Sequence, residues 1–440
     1  MVSALEIEDY MRRSFVSFAR IALSLAALAA VNLVAAQDQP MPGIVTLEGF
    51  AVLPADTFTE GPGVGTQINP TDNLNGRTLP FEGQPVQGFS ATIPGPDGHF
   101  YALSDNGYGA RANSGDYNLA FYELDVDFEA GTVEVIGSVQ LTDPNNLAGF
   151  PIVNEGADAR FLTGADFDTE SFRIAPDGSF WIGEEFGPYL LHFNANGELI
   201  DAPIPTPYPA ALVDAARGLE FVQSPQHPAF VDLADDNARR AAANLGGSRG
   251  FEGMAISADG MTLYTMLEGG LLDDATPGRL LIQAFDIASM SYTGDHFFYP
   301  LSIPNNAIGE LTAINDTQFL VIERDNNQGV NAAFKRVFLV DTANVGEDGV
   351  TLTKTLVADL LAIYDVNGLT TAAADVVGFG PIFRFPFQTI ESVYPIDADT
   401  LLLVSDNNYP FSAGRRPGVS DDNEFILITL PTALDLQIGQ

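Results

Sequence analysis

An all-β fold, a β-propeller with helical insertions, is what this chain predicts, and three observations predict it. Short strand–turn–strand units recur five times between Phe89 and Asn408. Each unit's second strand ends at an acidic residue. The 42 glycines and 28 prolines suit a chain with many tight turns. Radial repetition of small sheets closes such a chain and leaves only short edges.

The clearest unit runs from Glu170 through Asp177-Gly178 to Glu184-Glu185, and a second from Glu252 through Asp259-Gly260 to Glu268. A third links Phe89, Asp97-Gly98 and Ser104-Asp105-Asn106. The fourth runs from Glu310 past Asp316 to Glu323-Arg324-Asp325-Asn326, and the fifth from Glu391 past Asp397 to Asp406-Asn407-Asn408. Within them 99–104, 180–183, 262–266, 318–322 and 400–405 are rich in branched and aromatic residues, as strands are. Residues 121–126, 280–286 and 336–341 read as the next strands outward. The Asp-Gly pairs read as hairpin turns, and Tyr101, Trp181 and Tyr264 as blade core. Repeat starts lie about 60 to 80 residues apart, longer than a bare blade of about 40 to 50. Insertions are therefore expected, one at 203–247 with helical stretches at 209–217 and 235–245, another at 356–374. Six blades are expected, five of them visible as repeats and one diverged. A two-domain β-sandwich is the structural alternative.

Arg12 and Arg13, the apolar run from Ile21 to Val34 and the small residues Val34-Ala35-Ala36 read as a signal peptide over 1–36. Residues 37–440 then form a single domain, exported to the periplasm or beyond. The apolar run is short for a full span, and no membrane span is expected after signal removal. A monomer is expected.

A formal net charge of −39, with only Lys335 and Lys354 as lysines, argues against nucleic acid as a partner, because phosphates require basic patches. An acidic surface suits solubility in salt or the capture of cations. With no cysteine, thiolate zinc sites, disulfides and cysteine nucleophiles are excluded.

In a propeller the innermost strands line a central channel, so acids at equivalent strand ends converge at one mouth. Glu170, Glu184, Glu185, Glu252, Glu268, Glu310, Glu323 and Asp406 are the candidates, with Asp105 and Asn106 in the matching place of the first unit. Asn326 and Asn407 would add amide oxygens. An oxygen-rich ring suits a hard cation, calcium above all. Arg111, Arg173, Arg249 and Arg324 stand in or beside the motifs as counter-charges. Gly246-Gly-Ser248-Arg-Gly250 has G-x-S-x-G spacing, but a helical stretch precedes it and a strand follows, the reverse of a nucleophile elbow. The four histidines show no metal-binding spacing.

Ser104-Asp-Asn-Gly107, Glu170-Ser-Phe-Arg173, Gly183-Glu-Glu-Phe-Gly-Pro188, Arg249-Gly-Phe-Glu-Gly253, Ile322-Glu-Arg-Asp-Asn326 and Val404-Ser-Asp-Asn407 occur in order. In these motifs the chain resembles the bacterial phytase-like family, named for an esterase-like activity of phytase, over roughly Gly88 to Leu430. The resemblance implies ester or phosphoester hydrolysis. It also implies an acidic active site, carried here by Asp105, Glu170, Glu184, Glu185, Glu252, Glu268, Glu310, Glu323, Asp325, Glu391 and Asp406. The expected protein is an exported calcium-dependent hydrolase of small phosphoesters or related esters. Glu184, Glu185, Glu252 and Glu323 are its expected ligands or general base, and Arg324 or Arg173 its anion stabiliser. The alternatives are a lactonase-type esterase, or a non-catalytic propeller that binds a ligand or partner and holds structural calcium.

Overall fold

The computed structural model describes residues 43–95, 98–212 and 219–437. The signal peptide expected at 1–36 and the turn residue Asp97 lie outside them. Strand makes up 41% and helix 4%, so the chain is mostly β.

After β1 (Thr46–Leu53) come five four-stranded antiparallel sheets. The first holds β2 (Phe89–Pro94), β3 (Phe100–Ser104), β4 (Ala120–Asp127) and β5 (Thr132–Gln140). The second holds β6 (Thr169–Ile174), β7 (Phe180–Glu184), β8 (Tyr189–Phe193) and β9 (Ile204–Pro205). The third holds β10 (Phe251–Ile256), β11 (Thr262–Leu267), β12 (Arg279–Asp286) and β13 (Ser291–Pro300). The fourth holds β14 (Ala307–Ala313), β15 (Gln318–Arg324), β16 (Lys335–Val345) and β17 (Leu352–Asp359). The short β18 (Ile363–Tyr364) and β19 (Ile382–Phe383) follow. The fifth sheet takes β20 (Thr389–Pro395), β21 (Thr400–Asp406) and β22 (Asn423–Thr429), and borrows β1 as its outer strand. A single parallel bridge, Val52 to Thr132, joins the fifth sheet to the first.

The first strands neighbour one another in a cycle: β2 with β6, β6 with β10, β10 with β14, β14 with β20, and β20 with β2. Five apolar cores fill the gaps between consecutive sheets. Ile93 and Phe121 meet Phe172 and Phe180, and Trp181 meets Met254 and Phe285. Ile282 meets Leu311 and Val321, Ile322 meets Ile390 and Leu403, and Val404 and Phe425 meet Phe89 and Tyr122. Each fully buried Phe or Leu contributes about 1.5 to 3 kcal/mol, so every sheet is held on both faces. Burial grades outward: β14 is buried throughout, whereas β5 alternates exposed and covered residues.

The turn expectations hold at Gly178 and Gly260, with φ of +83° and +71°. Trp181 is fully buried, while Tyr101 and Tyr264 are half-buried. The insertion at 203–247 carries a short helix α1 (Asp236–Ala242), capped by Asp235. The insertion expected at 356–374 is not helical among the described residues: β17 runs on to Asp359 and turns follow. Where a sixth unit is expected, the described residues form no sixth four-stranded sheet.

The ring is tight at its centre. A Cβ on Gly309 of β14 would stand 2.0 Å from the Ile390 carbonyl oxygen of β20. Gly309→Ala should lower the unfolding free energy by about 2 kcal/mol or more, while Gly61→Ala, with nothing within 4 Å of its Cβ, should change it by less than about 0.5 kcal/mol. Equal denaturation midpoints for the two variants would contradict this packing.

Candidate functional site

Each first strand carries a β-bulge at the same place. Its ladder to the second strand skips one residue: Ser90, Glu170, Glu252, Gly309 and Glu391. A bulge leaves the extra residue unpaired and re-aims its side chain. The residue that follows each second strand's pre-bulge partner is Asp105, Glu185, Glu268, Arg324 or Asp406. These two rings of equivalent positions supply most of the wall of a cavity of about 150 Å³. Eight carboxyl groups line it, from Asp105, Asp168, Glu170, Glu185, Glu252, Glu268, Glu391 and Asp406, with one guanidinium, Arg324. Arg324 occupies the place that an acid fills in the other four sheets.

Arg324 Nη2 lies 3.2 Å from Glu252, 3.3 Å from Glu268 and 3.5 Å from Glu391. Asn326 accepts from its Nη1 at 2.9 Å and orients it, while its buried Nε has no partner. Asp168 accepts from the backbone and side-chain nitrogens of Asn106, at 3.2 and 2.8 Å. Asp105 accepts from Gly107 N at 2.7 Å, and Asp406 from Asn408 N at 2.7 Å. Gly88, at φ +65°, admits this arrangement, since a Cβ there would stand 2.3 Å from Asp105 Oδ1.

So many acids in a buried space oppose one another's ionisation. Burial, then Asp406 and Asp168, push Asp105 well up. Burial and the neighbouring acids, Asp168 first, push Glu170 and Glu185 well up. Glu391 is raised by burial and then by Glu252 and Asp406. Burial and Glu268 raise Glu252 to about 8, against the pull of Arg324. Asp168 and Asp406 are raised to about 6, chiefly by burial. Away from the arginine, ligand oxygens of Asp168, Glu170 and Glu185 all lie within 4.8 Å of one another. Carboxylate oxygens without sulfur or imidazole donors fit a hard cation.

Several expected residues sit elsewhere, and the strand pleat explains why. Glu184 and Glu323 precede the lining residues Glu185 and Arg324 by one position, so they face the other way. Glu184 accepts from Phe186 N, Gly187 N and Tyr189 N at 2.8, 2.6 and 2.9 Å, and closes that turn. Glu323 accepts from Tyr299 Oη, Ser302 N and Asn306 Nδ2, each at 2.8 Å, and pairs with Lys354 at 2.5 Å. In the fourth sheet the bulge falls on Gly309, so Glu310 stands one place off the ring and pairs with Arg173 at 3.1 Å. Arg173 also donates to Leu311 O at 2.8 Å and lines a separate cavity with Ile256, Thr312 and Tyr394. Asp325 pairs with Lys335 at 3.0 Å, outside the centre. Asn106 lines the cavity, but its amide oxygen accepts from Gly109 N at 2.7 Å. Asn407 accepts from Gly88 N at 3.3 Å. Arg249 stands at the rim, 3.5 Å from Glu268.

Asp168, Thr389 and Asn408 line the cavity without having been expected. Asp168 had a signal: it stands two residues before Glu170, the spacing that shares one face of an extended chain. Thr389 and Asn408 stand at the same two-residue spacing from Glu391 and Asp406, but neither is an acid.

The family whose sequence model matches residues 84–409 is described as phytase-like, esterase-like activity of phytase. A secreted protein of Arthroderma benhamiae, described as uncharacterized, is 25% identical over 235 residues, which are 48% of this chain and 43% of that protein. The chain thus spans less than half of that relative's length. Among solved structures, an exo-β-1,3-galactanase from Clostridium thermocellum aligns at TM-score 0.43 and 11% identity over 89% of this chain and 66% of that one. Virginiamycin B lyase from Staphylococcus aureus aligns at TM-score 0.35 and 11% identity over 88% and 99%. Among the described residues no helix is long and apolar enough to cross a membrane.

A raised acid favours folding only while protonated. Its contribution is complete below the unfolded value near 4.5 and is lost as pH rises through about 8 for Glu252. In chelator, the wild-type protein should therefore lose stability between about pH 4.5 and pH 8. Glu252→Gln should lose less, and be more stable at pH 8 by roughly 1 to 3 kcal/mol. Parallel pH profiles of the two proteins in urea denaturation would refute this account of the cavity.

Proposed function

The chain belongs to the phytase-like family, and on that premise we propose that it is an exported, cation-dependent hydrolase of phosphoesters or related esters. We read the five sheets as the blades of a propeller and calcium as the cation. One observation carries the reading: eight carboxyl groups share one small cavity, and three of them hold ligand oxygens within 4.8 Å of one another.

Asp168, Glu170 and Glu185 would hold the ion, and Asp105 and Asp406 complete the oxygen-rich side. The bound cation supplies Lewis acidity toward a phosphoryl or carbonyl oxygen. Glu252, raised to about 8 and lining the same cavity, is suited to take or give a proton near neutral pH. Arg324, on the cavity wall, supplies positive charge toward a developing negative charge, while its Nη2 keeps Glu252, Glu268 and Glu391 in place. Glu184, hydrogen-bonded within its own turn, and Glu323, held by Tyr299, Ser302, Asn306 and Lys354, serve the fold. Phosphomonoesters and phosphodiesters are the first substrate class, lactones and other esters the second. Export is supported by the basic, apolar and small-residue order of positions 12–36.

The small volume of the cavity, about 150 Å³, favours one rival, a binding propeller whose calcium is structural. An assay of aryl phosphates, bis-aryl phosphates and aryl esters, each with calcium and with chelator, separates the two. Cation-dependent turnover is expected. Glu252→Gln should reduce it by about 100-fold or more, whereas Glu323→Gln should lower stability and keep turnover per folded molecule. Chelator should also lower the thermal midpoint. No turnover under any condition, with only that chelator effect remaining, would leave the binding module.

A further inference from the structure

Beside the acidic centre lies a cavity of about 510 Å³ whose wall carries the opposite charge. Arg111, Arg239 and Arg240 line it against one carboxylate, Asp236. That balance reverses the composition of the chain, in which 58 acids face 19 bases. On α1, Arg240 Nε lies 2.8 Å from Asp236 Oδ2, and Arg239 Nη2 lies 3.6 Å from Oδ1, so two cations share one anion.

Arg111 makes no ion pair among the described residues. Its guanidinium donates to the carbonyl oxygens of Ala165, Gln226 and Asp166, at 2.6, 3.0 and 3.4 Å, and lies over the Phe186 ring. Those contacts are to neutral carbonyls, Glu184 and Asp166 act on the group only at longer range, and arginine stays protonated. His227 adds no negative charge. Its Nδ1 accepts from Ala229 N at 3.0 Å, and its Nε2 meets Tyr189 Oη at 2.9 Å.

The two cavities adjoin. Gly109 lines the acidic centre, and the next residues, Ala110 and Arg111, line the basic cavity. Ser248 belongs to the basic wall. Its Oγ is buried and finds no partner at ordinary hydrogen-bond length. A volume of 510 Å³ is more than a bare ion needs and falls within the range of small-molecule sites.

We propose that this cavity is an anion subsite, which holds a phosphoryl group carried on a small organic molecule while the ester to be cleaved reaches the acidic centre. It rests on the hydrolase reading only in assigning that molecule as substrate. The substrates would then be esters that bear a second negative charge.

The test is calorimetric titration of the full chain with phenyl phosphate and with inorganic phosphate, in chelator so that no cation recruits the anion. Saturable binding of both is expected, with phenyl phosphate the tighter. The double variant Arg239→Gln/Arg240→Gln, altered only on the exposed helix, should weaken both by at least about tenfold. Glu252→Gln should not. Circular dichroism of both variants checks the fold, and calcium titration of the double variant checks that the cation site persists. Equal binding by the double variant, or no saturable binding by the wild type, overturns the subsite. Binding of inorganic phosphate without phenyl phosphate overturns its assignment to a substrate. Failure of the wild type to bind calcium, with phosphate binding intact, would instead remove the hydrolase reading and leave the subsite standing.

Discussion

Eight carboxyl groups and one guanidinium meet in a cavity of about 150 Å³, and the Coulomb cost of that meeting governs the centre of the molecule. Two like charges 4 Å apart repel by about 4 kcal/mol at an effective dielectric of 20. All eight acids cannot be ionised together without compensation. The protein offers Arg324 on one side, and amide donors from Asn106 and the turn nitrogens of Gly107 and Asn408 on the other. Protons or a cation must supply the rest. Even nearby cations feel the arrangement: burial and then Arg324 push Lys335 down to about 8.

Such a centre persists only where the surrounding structure over-determines it. Five apolar interfaces do so, each clamping one sheet to the next, and β1 closes the ring by pairing with β22. The hydrophobic energy lies between the sheets, and the electrostatic strain lies where their first strands converge. Side-chain bonds tie neighbouring strands there: Thr169 Oγ1 donates to Ser104 O at 2.6 Å, Ser171 Oγ to Phe251 O at 3.2 Å, and Thr312 Oγ1 to Val393 O at 2.7 Å. Buried acids then fall into two kinds. Glu184 and Glu323 accept several hydrogen bonds apiece and complete turns. Glu170, Glu252 and Glu391 sit on bulges and face one another across the cavity. The bulge acids, together with Asp168 and Glu185, are left with oxygens to offer a ligand.

The β content, the hairpins at Gly178 and Gly260 and the convergence of acids at strand ends were legible in the residues, because turn chemistry and strand composition are local. Asp105, Glu170, Glu185, Glu252, Glu268, Glu391, Asp406 and Arg324, at the ends of the repeated strands, do line the cavity. Glu184, Glu310, Glu323, Asp325 and Arg173 share the same motifs and lie outside the cavity, while Asp168, outside the repeated motif, lines it. Glu184, Glu323 and Asp325 each lie one residue from a lining position, the scale on which a strand alternates its faces, whereas Glu310 follows the bulge at Gly309 and Arg173 lies three residues beyond Glu170.

The sequence by itself determined the residue types at the strand ends and the period that repeats them, since both are written in consecutive positions. Tertiary structure decided which of two adjacent acids looks inward. A strand turns its side chains over at each residue, and a one-residue bulge shifts that phase. The bulges at Glu170, Glu252 and Glu391 carry their acids to the axis, and the bulge at Gly309 sends Glu310 to Arg173 instead. Such a phase is set by pairing between strands and by close approach between sheets, and no run of residues read alone contains it.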